Sequence, residues 1–127
     1  MTAKLSTHVL DTYHGGPGVG IAWTLETQAE SGESGSAGGA PGWSTLAEGV
    51  TNADGRTDGP LLEGSALQTG RYRITFQIGA YFRGRGLTLP EPPFLDVVVV
   101  QVSLQAGESY HVPLLTSPWS YSTYRGS

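Results

Sequence analysis

Arg71-Tyr72-Arg73-Ile74-Thr75-Phe76-Gln77-Ile78 is the stretch that decides the fold class. Tyr72, Ile74, Phe76 and Ile78 alternate with Arg73, Thr75 and Gln77, and a period of two puts the apolar set on one face of a pleated strand and the polar set on the other. Such a strand is half-buried and belongs in an antiparallel sheet with one face on a core and one in water.

Upstream, Leu5 to Leu10 reads as a first strand ended by Asp11, with Ser6, His8 and Leu10 on one face and Leu5, Thr7 and Val9 on the other. His14-Gly15-Gly16-Pro17-Gly18 is turn chemistry, and Val19 to Thr27 is predicted as a second strand with Val19, Ile21, Trp23 and Leu25 on one side. From Gln28 to Gly42 the composition changes to Gly, Ser, Ala and Glu without apolar periodicity. A segment that buries so little cannot offset its ordering entropy, so residues 28–42 are expected to form a flexible hairpin loop. Trp43 to Thr51 resumes strand character, and the Asn52-Ala53-Asp54-Gly55 turn delivers Arg56; a short apolar segment follows at Leu61 to Gly64.

Downstream, Ala80 to Arg83 is expected to make about one helical turn before Gly84 and Gly86 stop it, and Pro90, Pro92 and Pro93 hold an extended connector. Phe94 to Val102 is apolar on both faces for much of its length, which calls for cover on both sides or a partner along its edge; a second protein chain is the expected cover. The chain then closes with Tyr110 to Leu115 and Ser117 to Ser127, two strands hinged at Ser117-Pro118. Seven or eight short strands with Gly/Pro turns and at most one helical turn indicate an all-β sandwich, with residues 1–127 as a single domain.

Composition narrows function. With no cysteine there is no disulfide scaffold, thiolate nucleophile or Cys-based metal site, and a reducing cytoplasm is compatible. A net charge of −4, a pI near 5.2 and only 7 basic residues argue against a nucleic-acid or anionic-membrane partner. Residues Met1 to Gly20 hold no apolar run of signal-peptide or membrane-span length, so a soluble cytoplasmic protein is expected.

The groups able to carry chemistry are His8, His14, His111, Arg56, Arg125 and Ser127. A histidine within an apolar strand, as at His8 and His111, is either a satisfied structural residue or a proton-transfer group; His14, in a glycine-rich turn, reads as exposed. No histidine pair has the spacing of a local chelate, so no metal site is expected. Gly15 to Gly20 lacks the G-x-G-x-x-G register and Arg83-Gly84-Arg85-Gly86 reads as a solvated turn. Without a G-x-S-x-G elbow, a hydrolase of this sequence would activate water through histidine instead of forming a covalent intermediate.

Four segments, Leu5-Ser6-Thr7-His8-Val9-Leu10-Asp11-Thr12, Asn52-Ala53-Asp54-Gly55-Arg56-Thr57, Tyr110-His111-Val112-Pro113-Leu114-Leu115 and Tyr121-Ser122-Thr123-Tyr124-Arg125-Gly126-Ser127, resemble the signature segments of the transthyretin-like 5-hydroxyisourate hydrolases. The resemblance covers nearly the whole chain in the right order. It implies a transthyretin-type sandwich of two four-stranded antiparallel sheets with one short helix, assembled as a homotetramer (a dimer of dimers) with active sites in the channel between dimers. The implied reaction, without a cofactor, adds water across the bond between C6 and N1 of 5-hydroxyisourate, giving 2-oxo-4-hydroxy-4-carboxy-5-ureidoimidazoline in urate catabolism.

Carried over residue by residue, the resemblance places His8, Arg56, His111 and Ser127 in the catalytic site and Tyr124, Arg125 and Gly126 in substrate binding. Either histidine could serve as the base, and the last residue, Ser127, offers a hydroxyl and a carboxylate able to orient Arg56 or an imidazole. The sequence departs from the family pattern in the length of the 28–42 loop, in Ser109 before Tyr110, in Trp119-Ser120 and at Gly18; none removes a proposed catalytic residue. The rival reading is a transthyretin-like carrier of a small hydrophobic ligand, whose channel would be apolar and lack both histidines.

Overall fold

The computed structural model describes residues 2–28 and 42–126. In chain order it holds β1 (Lys4–Asp11), β2 (Gly16–Pro17), β3 (Ala22–Gln28), β4 (Trp43–Val50), β5 (Leu62–Glu63), β6 (Gly70–Gln77), α1 (Ile78–Gly84), β7 (Val97–Leu104), β8 (Tyr110–Thr116) and β9 (Tyr121–Thr123).

The alternation in β6 is realised in full: Tyr72, Ile74 and Phe76 are buried, and β6 pairs antiparallel with β3 on one side and β7 on the other. This four-stranded sheet, in the order β4-β3-β6-β7, is antiparallel throughout. The second sheet runs β2-β1-β8-β9, and β5 pairs with the same edge of β1 as an extra short strand. Its middle pair differs from the antiparallel expectation, because β1 and β8 run parallel from Leu5↔Tyr110 to Asp11↔Thr116. The chain therefore opens and closes in the same sheet, with the other sheet formed in between.

Between the sheets, Leu5 and Val9 of β1 and Val112 and Leu114 of β8 meet Trp23, Leu25, Ile74, Phe76, Val98 and Val100 in one buried cluster. Burying each large apolar side chain is worth roughly 1.5–3 kcal/mol before chain entropy is charged. The complementary set on β1 (Ser6, His8, Leu10) is half-buried on the outer face, as the alternation predicts.

The closing strand expected over Ser117 to Ser127 is confined to Tyr121–Thr123, and three other boundaries move. Val19 is exposed and sits with Gly20 in a turn, so the second long strand begins at Ala22, although Ile21, Trp23 and Leu25 are buried as expected. The helix has seven residues instead of a single turn: Ile78 and Gly79 donate their amides to the Asp96 carbonyl at 3.0 and 2.8 Å, which satisfies two of the open N–H groups of its first turn. The late strand begins at Val97, not Phe94, and Phe94 is 71% exposed. Within β7, Val98 and Val100 face the core while Val97 and Val99 stay open, so its outward apolar face has no cover among the described residues.

β3 and β4 pair with Gln28 opposite Trp43, so the strands flanking the expected loop form a hairpin; residues 29–41 themselves lie outside the described residues. No helix among the described residues is long and apolar enough to cross a membrane.

Candidate active site

The parallel register of β1 and β8 sets Ser6 opposite His111 and His8 opposite Pro113. Paired residues project to the same side of a sheet, so both imidazoles lie on its outer face, away from the core. The free edge of β1 is occupied near its start by β5 and near its end by β2. Between them, Arg56 forms an antiparallel bridge with His8.

Local chemistry explains how the 52–55 turn delivers that arginine. The Asn52 side-chain oxygen accepts from the amides of Asp54 (2.9 Å) and Arg56 (3.1 Å), a side-chain-capped turn of the kind asparagine favours. Gly55 has φ +75°, and its carbonyl accepts from the Val9 amide at 2.8 Å. A Cβ at Gly55 would lie 2.5 Å from the Val9 carbonyl oxygen, so both the turn and its approach to β1 require glycine.

On the far side of β8, Gly126 bridges His111 and donates its amide to the His111 carbonyl at 2.7 Å. The imidazole packs directly against this glycine. Its Nδ1 lies 2.8 Å from the Ser6 hydroxyl. Burial first, then the Arg56 charge, then the His8 charge hold His111 below its ordinary pKa of 6.5. Each cause penalises the imidazolium, so the ring is kept neutral at neutral pH. One sheet face thus presents a planar cation, a second imidazole and a neutral, half-buried imidazole within mutual electrostatic reach.

Against this geometry, the sequence profile of the HIUase/Transthyretin family matches residues 5–126. The chain belongs to this family. It is 48% identical to a 5-hydroxyisourate hydrolase of Ralstonia nicotianae, over 98% of each chain. Among solved structures, it resembles 5-hydroxyisourate hydrolase of Klebsiella pneumoniae (32% identity, TM-score 0.73, 98% of this chain and 94% of that one). It also resembles sea bream transthyretin in complex with thyroxine (28% identity, TM-score 0.79, 98% and 95%). The HIUase/Transthyretin fold therefore serves both a hydrolase and a thyroxine-bound transthyretin, and any discrimination must come from the side chains on it.

Of the residues that the sequence singled out, the structure brings His8, Arg56, His111 and Gly126 together; Ser127 lies outside the described residues. Arg125 is held elsewhere. Its guanidinium lies 4.3 Å over the Tyr110 ring and donates to the Ser109 carbonyl (3.1 Å) and to Glu108 (3.4 Å). Tyr110 packs against the core, so Arg125 shares the Tyr110 side of β8 and not the His111 side. Tyr124 and Arg125 also line a pocket of about 280 Å³ at the open edge between β7 and β9, with Val102, Tyr110 and Val112.

Two features of this HIUase/Transthyretin chain escaped sequence reading. Ser6 was visible only as a neighbour of His8 on the outer face; its contact with His111 depends on a pairing that spans most of the chain. The second feature is Asp11, whose fully buried carboxylate accepts from the Tyr81 hydroxyl (2.7 Å), the His14 amide (2.9 Å) and His14 Nδ1 (2.5 Å). His14 is exposed, as the sequence predicts, and is in addition anchored by Asp11, with its ring stacked on Phe82 of α1 at 6.2 Å. Among the described residues no group of three or more His, Cys, Asp or Glu is arranged to hold a metal ion.

Proposed function

We propose that this protein hydrolyses 5-hydroxyisourate, a small-molecule substrate, without a cofactor. The observation that carries the reading is the placement of the half-buried His111 imidazole, held between Ser6 and Gly126 and beside Arg56 and His8, where burial and then the Arg56 charge lower its pKa. The names of the curated relatives point to the same substrate.

In this reaction His111 takes a proton from water at Nε2 while the water oxygen bonds to ring carbon C6. The developing oxyanion is stabilised by the guanidinium of Arg56, whose planar donors suit a carbonyl and ureide edge. The tetrahedral intermediate collapses with cleavage of the C6–N1 bond, and the imidazolium returns its proton to N1, opening the six-membered ring and leaving a carboxyl and a ureido group on the remaining five-membered ring. Proton transfer of this kind is worth about 10²–10⁴ in rate. His8, bridged to Arg56, holds the substrate edge and contributes to the field that keeps His111 neutral. By family resemblance Ser127 is assigned to the catalytic group and Tyr124, Arg125 and Gly126 to substrate binding; the contact of Gly126 with the imidazole supports its place, whereas the Arg125 guanidinium over Tyr110 speaks against a direct role for that side chain.

The assembly assigned to it is a homotetramer, a dimer of dimers, with the outer faces of the β1/β8 sheets lining the channel. The outward Val97 and Val99 of β7 and the exposed Tyr121 of β9, both on edge strands, support a second copy as their cover. Light scattering should then give four times the 13.4 kDa chain mass, and a monomer would contradict this. The cysteine-free, acidic composition supports work in the cytoplasm, with neither nucleic acid nor membrane as partner.

The function is tested by mixing the protein with freshly generated 5-hydroxyisourate and following the ultraviolet loss of the compound against its spontaneous decay. Acceleration supports the hydrolase. No acceleration, together with saturable binding of thyroxine, would favour the carrier.

A further inference from the structure

Ser6 belongs to none of the groups on which the reaction was built, yet among the described residues its hydroxyl is the polar group bonded to the His111 imidazole, with Oγ 2.8 Å from Nδ1. The contact crosses the parallel β1/β8 pair, where Ser6 stands directly opposite His111. It is therefore set by the backbone ladder on both strands, and both partners are half-buried. Such a bond is worth more, and is better ordered, than one made by a long side chain in water.

We propose that Ser6 is a positioning residue that accepts a hydrogen bond from Nδ1–H of His111 and so fixes the tautomer in which Nε2 carries the free lone pair. The proposal rests on the reading of His111 as the base.

A neutral imidazole carries one N–H, and the partner of one ring nitrogen decides what the other can do. If Ser6 donated to Nδ1, the ring proton would sit on Nε2, which could then take none from water. If Ser6 accepts, Nε2 is free. Once Nε2 is protonated both ring nitrogens are donors, and an accepting Ser6 keeps its bond unchanged, whereas a donating one would have to turn its hydroxyl during the reaction. Preorganisation of that kind is what lowers a barrier.

The choice of a hydroxyl also matters. A carboxylate in this place would orient the ring equally well but would favour the imidazolium, as an aspartate does beside a catalytic histidine. Ser6 supplies orientation without charge, which leaves burial and the Arg56 and His8 charges free to hold the ring neutral. Gly126 closes the other side, since the ring Cδ2 lies 2.9 Å from where a Cβ would stand. The ring is thus located from β1 by a hydrogen bond and from the chain beside β8 by contact.

The test uses Ser6→Ala, Ser6→Thr and His111→Ala, with kinetics on 5-hydroxyisourate and ¹⁵N spectra of the His111 ring in the intact protein. The wild type should show Nδ1 protonated and Nε2 as the bare nitrogen. Ser6→Ala should lose that tautomer preference and drop kcat by about 10- to 100-fold with KM little changed, and Ser6→Thr, which keeps a hydroxyl, should recover the tautomer and part of the rate. A wild-type ring protonated on Nε2 would overturn the proposal even if Ser6→Ala failed to fold. So would a Ser6→Ala protein with unaltered tautomer and kcat. His111→Ala separates the two levels: full activity in that variant removes the base on which the proposal rests, whereas an inactive His111→Ala beside an unaffected Ser6→Ala removes only the role of Ser6.

Discussion

The Gly126 amide donates to the His111 carbonyl at 2.7 Å, and no room remains at that glycine for a side chain, because a Cβ would lie 2.9 Å from His111 Cδ2 and 3.3 Å from His111 Cβ. The glycine lets the chain beside β8 approach closely enough to serve as a wall for the imidazole. Gly126→Ala should therefore push the ring off its Ser6 contact. We expect a loss of about tenfold or more in kcat, with a thermal midpoint close to wild type, since the added methyl meets a ring able to turn. A variant of wild-type kcat would show that the ring position does not matter.

The depressed pKa of His111 gives a pH prediction with a definite sign. Burial, the Arg56 charge and the His8 charge place it below 6.5 in the fold, while the unfolded chain takes the ordinary value. Between the two values the unfolded chain binds more protons, so the contribution to stability is fully present above pH 6.5 and is lost as pH falls through the folded pKa. The acid limb of kcat/KM should accordingly lie below pH 6.5. Arg56→Gln should move the imidazole titration upward, yet still short of 6.5, because burial and His8 remain. NMR titration of the ring in the variant reads this directly, and an unmoved titration would separate Arg56 from His111.

Asp11 is where the fold is most exposed to a single change. Burial pushes its carboxyl up, but the hydrogen bonds from Tyr81 and His14 together outweigh that and hold it below 3.8. The same pairing, with burial, raises the Tyr81 hydroxyl. Asp11→Ala would leave the buried Tyr81 hydroxyl without its acceptor, at about 1–3 kcal/mol, and would remove the acceptor of the part-buried His14 amide at a smaller cost, since water can replace it. We expect a marked loss in urea unfolding at pH 7. Because the folded value is depressed, the stabilisation by Asp11 is present above pH 3.8 and is lost as pH falls through that lower value. Stability of Asp11→Asn should therefore depend less on pH in the acid range than that of the wild type, and an equal dependence would contradict this assignment.

Much of this architecture was legible because it is local. The two-residue period of Tyr72, Ile74 and Phe76 is enough to place β6, and the same period in β1 puts His8 on the outer face. The Asn52 to Gly55 turn was legible from its residue types, since asparagine caps and glycine supplies positive φ. What escaped depends on distant partners. The parallel β1/β8 pair joins residues 105 positions apart at Ser6 and His111, so neither the tautomer-setting contact nor the approach of His8 to His111 has a local signature. Ile78 continues the apolar alternation of β6 and so reads as strand, although the Asp96 carbonyl draws its amide into a helix. The aspartate ending β1 read as a strand terminator, and its burial is created by Tyr81 from α1. Family resemblance, and not periodicity, supplied the substrate and the grouping of Arg56 with the histidines.

The most direct test of the central claim, that a neutral His111 beside Arg56 activates water, is the rate of loss of freshly generated 5-hydroxyisourate with wild type, His111→Ala and Arg56→Ala at equal concentration and neutral pH. The wild type should accelerate the loss, and each variant should fall by about 10²–10⁴ while retaining its far-ultraviolet circular dichroism. Folded variants that turn over at the wild-type rate would contradict the account.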